Sequence, residues 1–295
     1  APFWAVYVDG AVRSADYACD LPVPPEWRGS GLYKQVYQHI EAWSLGRGED
    51  LGFTTVMKGN RAMARIVAGR AGVVPYHHIT TMRNFTVHFL FKKRPLPGIT
   101  IRPATAADIP EMVALWSRLN SQKQFAPFLT VDSFQARLAA SPGLAIGDYR
   151  LAHHDDRLVG SLALWNQESF KRMVVLKLNG GATWMRRWYN PIARLLGLAR
   201  FPAPGNTMPY VYATQLCAET AHDLKALYTH VYNESIGPET FFISSMLDVR
   251  DPLITALDGF LKQTVDIEVY AMDPYRKWVG HPFNRLPVYF DPAIV

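Results

Sequence analysis

Short apolar runs alternate with amphipathic stretches along most of the chain. Residues 3–8 are a continuous apolar run and predict a strand, Asp9-Gly10 predicts a hairpin turn, and residues 11–23 predict a second strand. Leu32, Val36, Ile40 and Trp43 recur at helical spacing, which predicts a helix over 32–45 ended by Gly46 and Gly48. A β-branched strand over 53–57, a short helix over 61–68 closed by Gly69, and two strands over 77–82 and 85–91 follow. Residues 92–98 hold two prolines and a glycine and read as a linker.

Beyond the linker a strand over 99–102 leads to Asp108, the expected helix N-cap, with Pro110 in the first turn and Glu111 three residues on. A helix over 132–139, a hairpin around Asp155-Asp156, and a strand over 174–178 come next. The remaining pattern predicts strands over 210–217, 241–247, 265–271 and 287–295, with helices over 221–232 and 252–261. The irregular alternation predicts an α+β or mixed α/β fold, a mixed sheet flanked by helices, in two domains, 1–97 and 98–295.

Composition narrows the class. Apolar residues make up 49% and charged residues 19%, which predicts a packed core rather than disorder. The net charge of +6 suits a small polyanionic ligand, and the absence of a long basic run argues against nucleic acid. Cys19 and Cys217 have no ligand spacing around them, so neither a metal site nor a disulfide framework is expected, and a reducing, cytoplasmic setting fits. No stretch has the length of a membrane span, and no signal peptide is evident.

The segment Leu21-Pro22-Val23-Pro24-Pro25-Glu26-Trp27-Arg28-Gly29-Ser30-Gly31-Leu32 carries the most chemistry. A strand ends, the chain turns through two glycines, and a helix begins. The first helical turn leaves N–H groups unpaired and carries partial positive charge. Glycines let that backbone approach a ligand, and Arg28 adds a full charge, so the segment suits a diphosphate. An Arg-Gly-x-Gly turn taken alone is also compatible with a plain turn.

This pattern resembles the GNAT acyltransferases, whose fourth strand and following helix carry apolar-x-Val-x-Pro-x-x-Arg-Gly-x-Gly. Leu21, Val23, Pro25, Arg28, Gly29 and Gly31 match it in order, Asn60 stands where the family opens a short helix after its next strand, and Gly72-Val73 follows. Ile101-Arg102-Pro103-Ala104-Thr105 leading to Asp108-Ile109-Pro110, and the hairpin from Asp155 to Gly160, resemble the opening of a second copy. The resemblance implies two GNAT-like domains, each with a mainly antiparallel sheet splayed between its fourth and fifth strands.

It further implies an N-acyltransferase that takes acetyl-CoA or CoA as cosubstrate and needs no metal. Leu21 and Val23 would pair with the pantetheine, and Arg28, Gly29, Ser30, Gly31, Leu32 and Tyr33 would hold the diphosphate, with Asn60 nearby. Asp20 would serve as base, and Tyr76, where the sixth strand nears the acceptor, would be a second catalytic residue. A small amine would attack the thioester directly. Membrane contact is not expected, and a homo-oligomer is compatible with the sequence. Three departures stand out: Tyr33 replaces a Gly or Ala, Val67 or Ala68 stands where the family often has an acidic tyrosine, and the first copy lacks the family's earlier helices and strands. The second copy reads Cys217-Ala218-Glu219-Thr220-Ala221-His222-Asp223 at the loop, whose carboxylates would repel a diphosphate.

Other residues weigh less. Asp16 is a second carboxylate near the loop, and His77-His78 and His153-His154 read as ordinary histidines. The basic, aromatic insertion over 184–201 has the composition to touch a membrane surface or an acyl chain, but is expected to pack its apolar side on its own domain. A non-catalytic CoA-binding or protein-interaction module is the alternative function, and transfer of longer acyl groups, or acyl-thioester decarboxylation, is a third.

Overall fold

Asp9 and Gly10 take φ values of 49° and 78°, the left-handed pair that closes a two-residue hairpin, and so join β1 (Phe3–Val8) to β2 (Ala11–Ala18). The structure is a computed structural model that describes residues 3–19, 24–27, 29–46, 51–69, 76–272 and 283–294 of the chain. Helix α1 (Leu32–Gly46), β3 (Gly52–Met57), α2 (Arg61–Val67) and β4 (Tyr76–His88) follow. Then come β5 (Thr100–Pro103), α3 (Ile109–Asn120), α4 (Val131–Ala139), β6 (Tyr149–His154), β7 (Arg157–Trp165), α5 (Gly180–Leu195), β8 (Tyr210–Ala218), α6 (Ala221–Ser235), β9 (Phe242–Asp248) and β10 (Lys262–Met272).

All ten strands join one sheet in the order β1-β2-β3-β10-β4-β9-β8-β7-β6-β5. Its neighbours are antiparallel except for two short parallel pairs. β2 meets β3 over three rungs, from Asp16–Gly52 to Ala18–Thr54, and β8 meets β9 over three, from Tyr210–Phe242 to Tyr212–Ser244. β10, late in the chain, lies between β3 and β4 and pairs with both. The chain boundary near residue 97 is therefore crossed by the sheet.

Opposite faces of β6, β7 and β8 carry helices because successive strand residues point to opposite sides. Ala152, Val159 and Ala213 meet Leu224, Leu227 and Val231 of α6, whereas Leu151, Ala163 and Cys217 meet Met112 and Trp116 of α3. Each such Leu or Val contributes about 1.5–3 kcal/mol by burial. A third core joins Tyr17, Phe53, Met82, Met246 and Val269 to Phe125 and Phe290. Phe125 stacks on Phe53 at 4.7 Å, and Phe290 lies 5.0 Å from Tyr17.

Several expectations are corrected. The strands over 77–82 and 85–91 are the single strand β4; Arg83 and Asn84 look like a break but are satisfied within the sheet, Arg83 by Asp266 at 2.9 Å and Asn84 by the Ser244 hydroxyl at 3.1 Å. Residues 174–178 form no strand, only a bridge from Val174 to Thr207. Helix 252–261 shortens to a 3-10 turn over Pro252–Leu257. Residues 287–294 form a bridge at Val288 and a 3-10 turn over Pro292–Ile294 rather than a strand. Asp108 does not cap α3 with its side chain; it closes a capping box with Thr105 and pairs with Arg102. Helix α1 buries Tyr37 and Ser44 and leaves Trp43 exposed.

Candidate functional site

A 3-10 turn over Pro25–Trp27 brings the chain round to α1, and Gly29 and Gly31 follow with φ of 86° and 83°. Only glycine adopts these angles without strain. Among the described residues a Cβ at either would meet no atom within 4 Å, so none of them closes over the backbone there. The Ser30 hydroxyl donates to the Trp27 carbonyl at 2.7 Å and accepts from the Leu32 N–H at 3.3 Å, which pins the turn. The first turn of α1 holds no acidic residue. Tyr33 packs against the core cluster of Tyr37, Val56, Ile66 and Val67. Asn60 caps α2 by accepting from the Met63 N–H at 3.2 Å. Asp20, Leu21, Val23 and Arg28 lie outside the described residues.

Beside this loop the β2–β3 ladder ends at Ala18–Thr54, fastened by the Thr54 hydroxyl donating to the Ala18 carbonyl at 2.8 Å. The next residue of β3, Thr55, hydrogen-bonds the Tyr17 hydroxyl at 2.9 Å and lines a cavity of about 320 Å³. Asn84 and Thr86 of β4, Ser244 of β9, Tyr210 and Tyr212 of β8, and Lys171 supply the rest of its polar wall, and Phe242, Met246 and Phe290 much of the apolar one. Among the described residues Lys171 is the only charged side chain of the lining, and no carboxylate or imidazole belongs to it. The Tyr210 and Tyr212 hydroxyls are 3.2 Å apart, and burial first, then that hydrogen bond, raises Tyr212 well above the ordinary tyrosine value. Tyr212 therefore stays a hydrogen-bond donor at any physiological pH.

A sheet with these features matches solved structures. The chain superposes on a GCN5-related N-acetyltransferase from Sphaerobacter thermophilus with a TM-score of 0.57 at 11% identity, covering 88% of this chain and 73% of that one. It superposes on N-myristoyltransferase from Saccharomyces cerevisiae, solved with bound myristoyl-CoA and inhibitors, with a TM-score of 0.59 at 11% identity, covering 92% and 63%. A GCN5-related N-acetyltransferase from Anabaena variabilis gives 0.53 at 8% identity, covering 92% and 58%. No protein-family model and no curated sequence matches the chain. The fold is that of the GNAT acyltransferases. In two of these three comparisons the chain spans about three fifths of the other protein's length.

Within that GNAT fold the second parallel pair is built on the same plan and finished differently. β8 and β9 diverge beyond Tyr212–Ser244, and residues 287–293 run through the gap. There the Asp291 carboxylate accepts from the Thr214 hydroxyl and from the Gln215 N–H at 2.8 Å, and the Asp248 carboxylate accepts from the Val288 N–H at 2.7 Å. Gln215 has φ of 51°, a β-bulge conformation that turns its N–H toward Asp291. At the start of α6, Thr220 and Asp223 close a capping box, and Glu219 holds Arg118 and Arg157, each at 2.6 Å. The one thiol near this gap, Cys217, is fully buried and pushed up to about 12 by that burial, so it is no nucleophile.

The other flagged residues separate. Tyr76 opens β4 in the small core between α1 and α2, its ring edge-on to Tyr37 at 6.4 Å, and does not line the cavity. Asp16 is buried and accepts from the Ser44 hydroxyl at 2.6 Å, tying α1 to β2. His78 is exposed and meets Glu268 at 2.6 Å, and His154 meets Asp223 at 3.0 Å. Sequence reasoning missed the cavity wall. Its one local signal was the alternation Asn84-x-Thr86 and Tyr210-x-Tyr212, polar groups repeating every second residue on one strand face.

Proposed function

We propose that this chain is an acyl-CoA-dependent N-acyltransferase, using acetyl-CoA and a small amine. The observation that carries the reading is the left-handed Gly29–Gly31 turn at a helix N-terminus, over which no described residue closes, beside a parallel strand pair of only three rungs. Arg28 and the amides of residues 29–33 would hold the diphosphate, with Asn60 alongside, and Leu21 and Val23 would pair with the pantetheine. The amine would enter the cavity from Thr55.

Transfer would form the amide C–N bond and break the thioester C–S bond. The amine proton would pass to Asp20, and the thiolate would leave unassisted and take its proton from solvent, since Val67 offers none and Tyr76 is held in the core between α1 and α2. Holding amine and thioester together would supply most of the acceleration. The test is release of CoA thiol from acetyl-CoA across a panel of amines, with and without a carboxylate. Turnover with an amine supports the reading. A second reading, a non-catalytic CoA-binding module, is favoured by the lack of any carboxylate or imidazole in the described lining. Binding of CoA without turnover on any amine would select it.

A further inference from the structure

Helix α5 does not pack its apolar side on its own sheet. Trp184, Trp188, Ile192 and Leu195 are 66%, 59%, 55% and 85% exposed, and Ala193 is the helix's buried residue. Their spacing of four, four and three residues places all four on one face. The opposite face is clamped. Asn190 donates to the Phe201 carbonyl at 3.0 Å and accepts from its N–H at 2.8 Å, and the Tyr189 hydroxyl donates to the Ala199 carbonyl at 3.2 Å. These bonds fix the roll of the helix, so the apolar ridge cannot turn inward without breaking them.

The charge along this segment of the chain has one sign. Residues 169–218 hold seven Lys and Arg and no Asp or Glu. Arg187 and Arg194 are exposed along one flank of the ridge. An apolar ridge with two tryptophans, flanked by arginines and free of acids, is the composition of a helix lying in a membrane interface.

We propose that α5 docks on an anionic lipid bilayer surface, its Trp184–Leu195 ridge seated at the headgroup boundary and its arginines on the anionic headgroups. A second copy of the chain is a poorer occupant, because it would bring two basic segments face to face. Nucleic acid fits less well, because its phosphates would meet the ridge rather than the arginines. The clamped face of the helix links it to the cavity: Tyr189 lies edge-on to Phe241 at 5.7 Å, next to Phe242, which stacks on Tyr210 at 5.1 Å and lines the cavity with it. This inference goes beyond the acyltransferase reading and does not rest on it.

The experiment is co-sedimentation of the purified chain with phosphatidylcholine vesicles, with and without phosphatidylglycerol, at low and high salt. The chain should bind only the anionic vesicles, and high salt should weaken binding about tenfold. Trp184→Ala with Trp188→Ala should weaken it by at least about tenfold while leaving the melting temperature unchanged, since both rings face solvent. Arg187→Glu with Arg194→Glu should do the same. Absence of vesicle binding by the unaltered chain would overturn the proposal, as would equal binding by the tryptophan variant. So would a concentration-dependent dimer, seen by light scattering, that the tryptophan variant abolishes, since the ridge would then be a contact between copies.

Discussion

Among the described residues the β2–β3 and β8–β9 pairs share one feature: three parallel rungs, with a helix next along the chain, α1 after β2 and α6 after β8. At α1 the turn is made by two glycines in left-handed geometry, with no described residue closing over them and no acid in the first turn. The start of α6 holds Thr220 and Asp223, whose reciprocal hydrogen bonds take up each other's amides, with Glu219 between two arginines beside them. The gap between β8 and β9 is taken as well, by Asp291 and its neighbours. A helix N-terminus has only a few unpaired donors, and they serve either a ligand or the protein's own side chains. On the proposed reading the first half would keep its donors for a ligand, whereas the second spends them on its own side chains, so likeness of fold would not carry likeness of function.

The largest effect that would sharpen this contrast is expected from Arg28→Glu with Gly29→Asp. It puts two negative charges at the open turn and should remove thermal protection by CoA, a loss of at least about 100-fold in affinity. Asp291→Ala should strike the other gap. It strips acceptors from Thr214, Gln215 and Ala293, and should cost about 2–4 kcal/mol in denaturant unfolding while CoA protection stays intact. Loss of CoA protection in that variant would break the contrast. Gly31→Ala puts a Cβ at φ of 83° with no described residue in its way, so it should cost about 1 kcal/mol of stability and weaken CoA about tenfold by calorimetry.

The smallest effect should come from Glu219→Gln. Burial pushes the Glu219 carboxyl up, but hydrogen bonds from Arg157 and Arg118 outweigh it and leave it below the ordinary carboxylate value. Its contribution is therefore present above the unfolded value of about 4.3 and is lost as pH falls through the folded one. Both arginines are more than half exposed, so the loss should stay under about 1 kcal/mol, and the variant should flatten the acid limb of stability against pH.

What was legible in the sequence was local. The Asp9-Gly10 hairpin, the start of α1 after Gly31, and β3 all follow from turn chemistry or from a period that a dozen residues carry. The placement of β10 between β3 and β4 was not legible, because the registry of Glu268 with both Val56 and Thr81 joins residues about two hundred apart with no local mark. Residues 287–294 are a short, mainly apolar run that reads like a strand, yet Val288 and Phe290 enter the core of the first half while Asp291 crosses the gap of the second. The cavity was missed for a related reason. Thr55, Asn84, Ser244 and Tyr212 come from four strands and look like ordinary sheet residues until the sheet brings them to one face.

The account turns on one half being open and the other filled, and calorimetric titration of the purified chain with CoA counts the sites directly. It predicts a stoichiometry of one CoA per chain, lost in the Arg28→Glu, Gly29→Asp variant and kept in Asp291→Ala. A stoichiometry of two, or no binding by the unaltered chain, would contradict it.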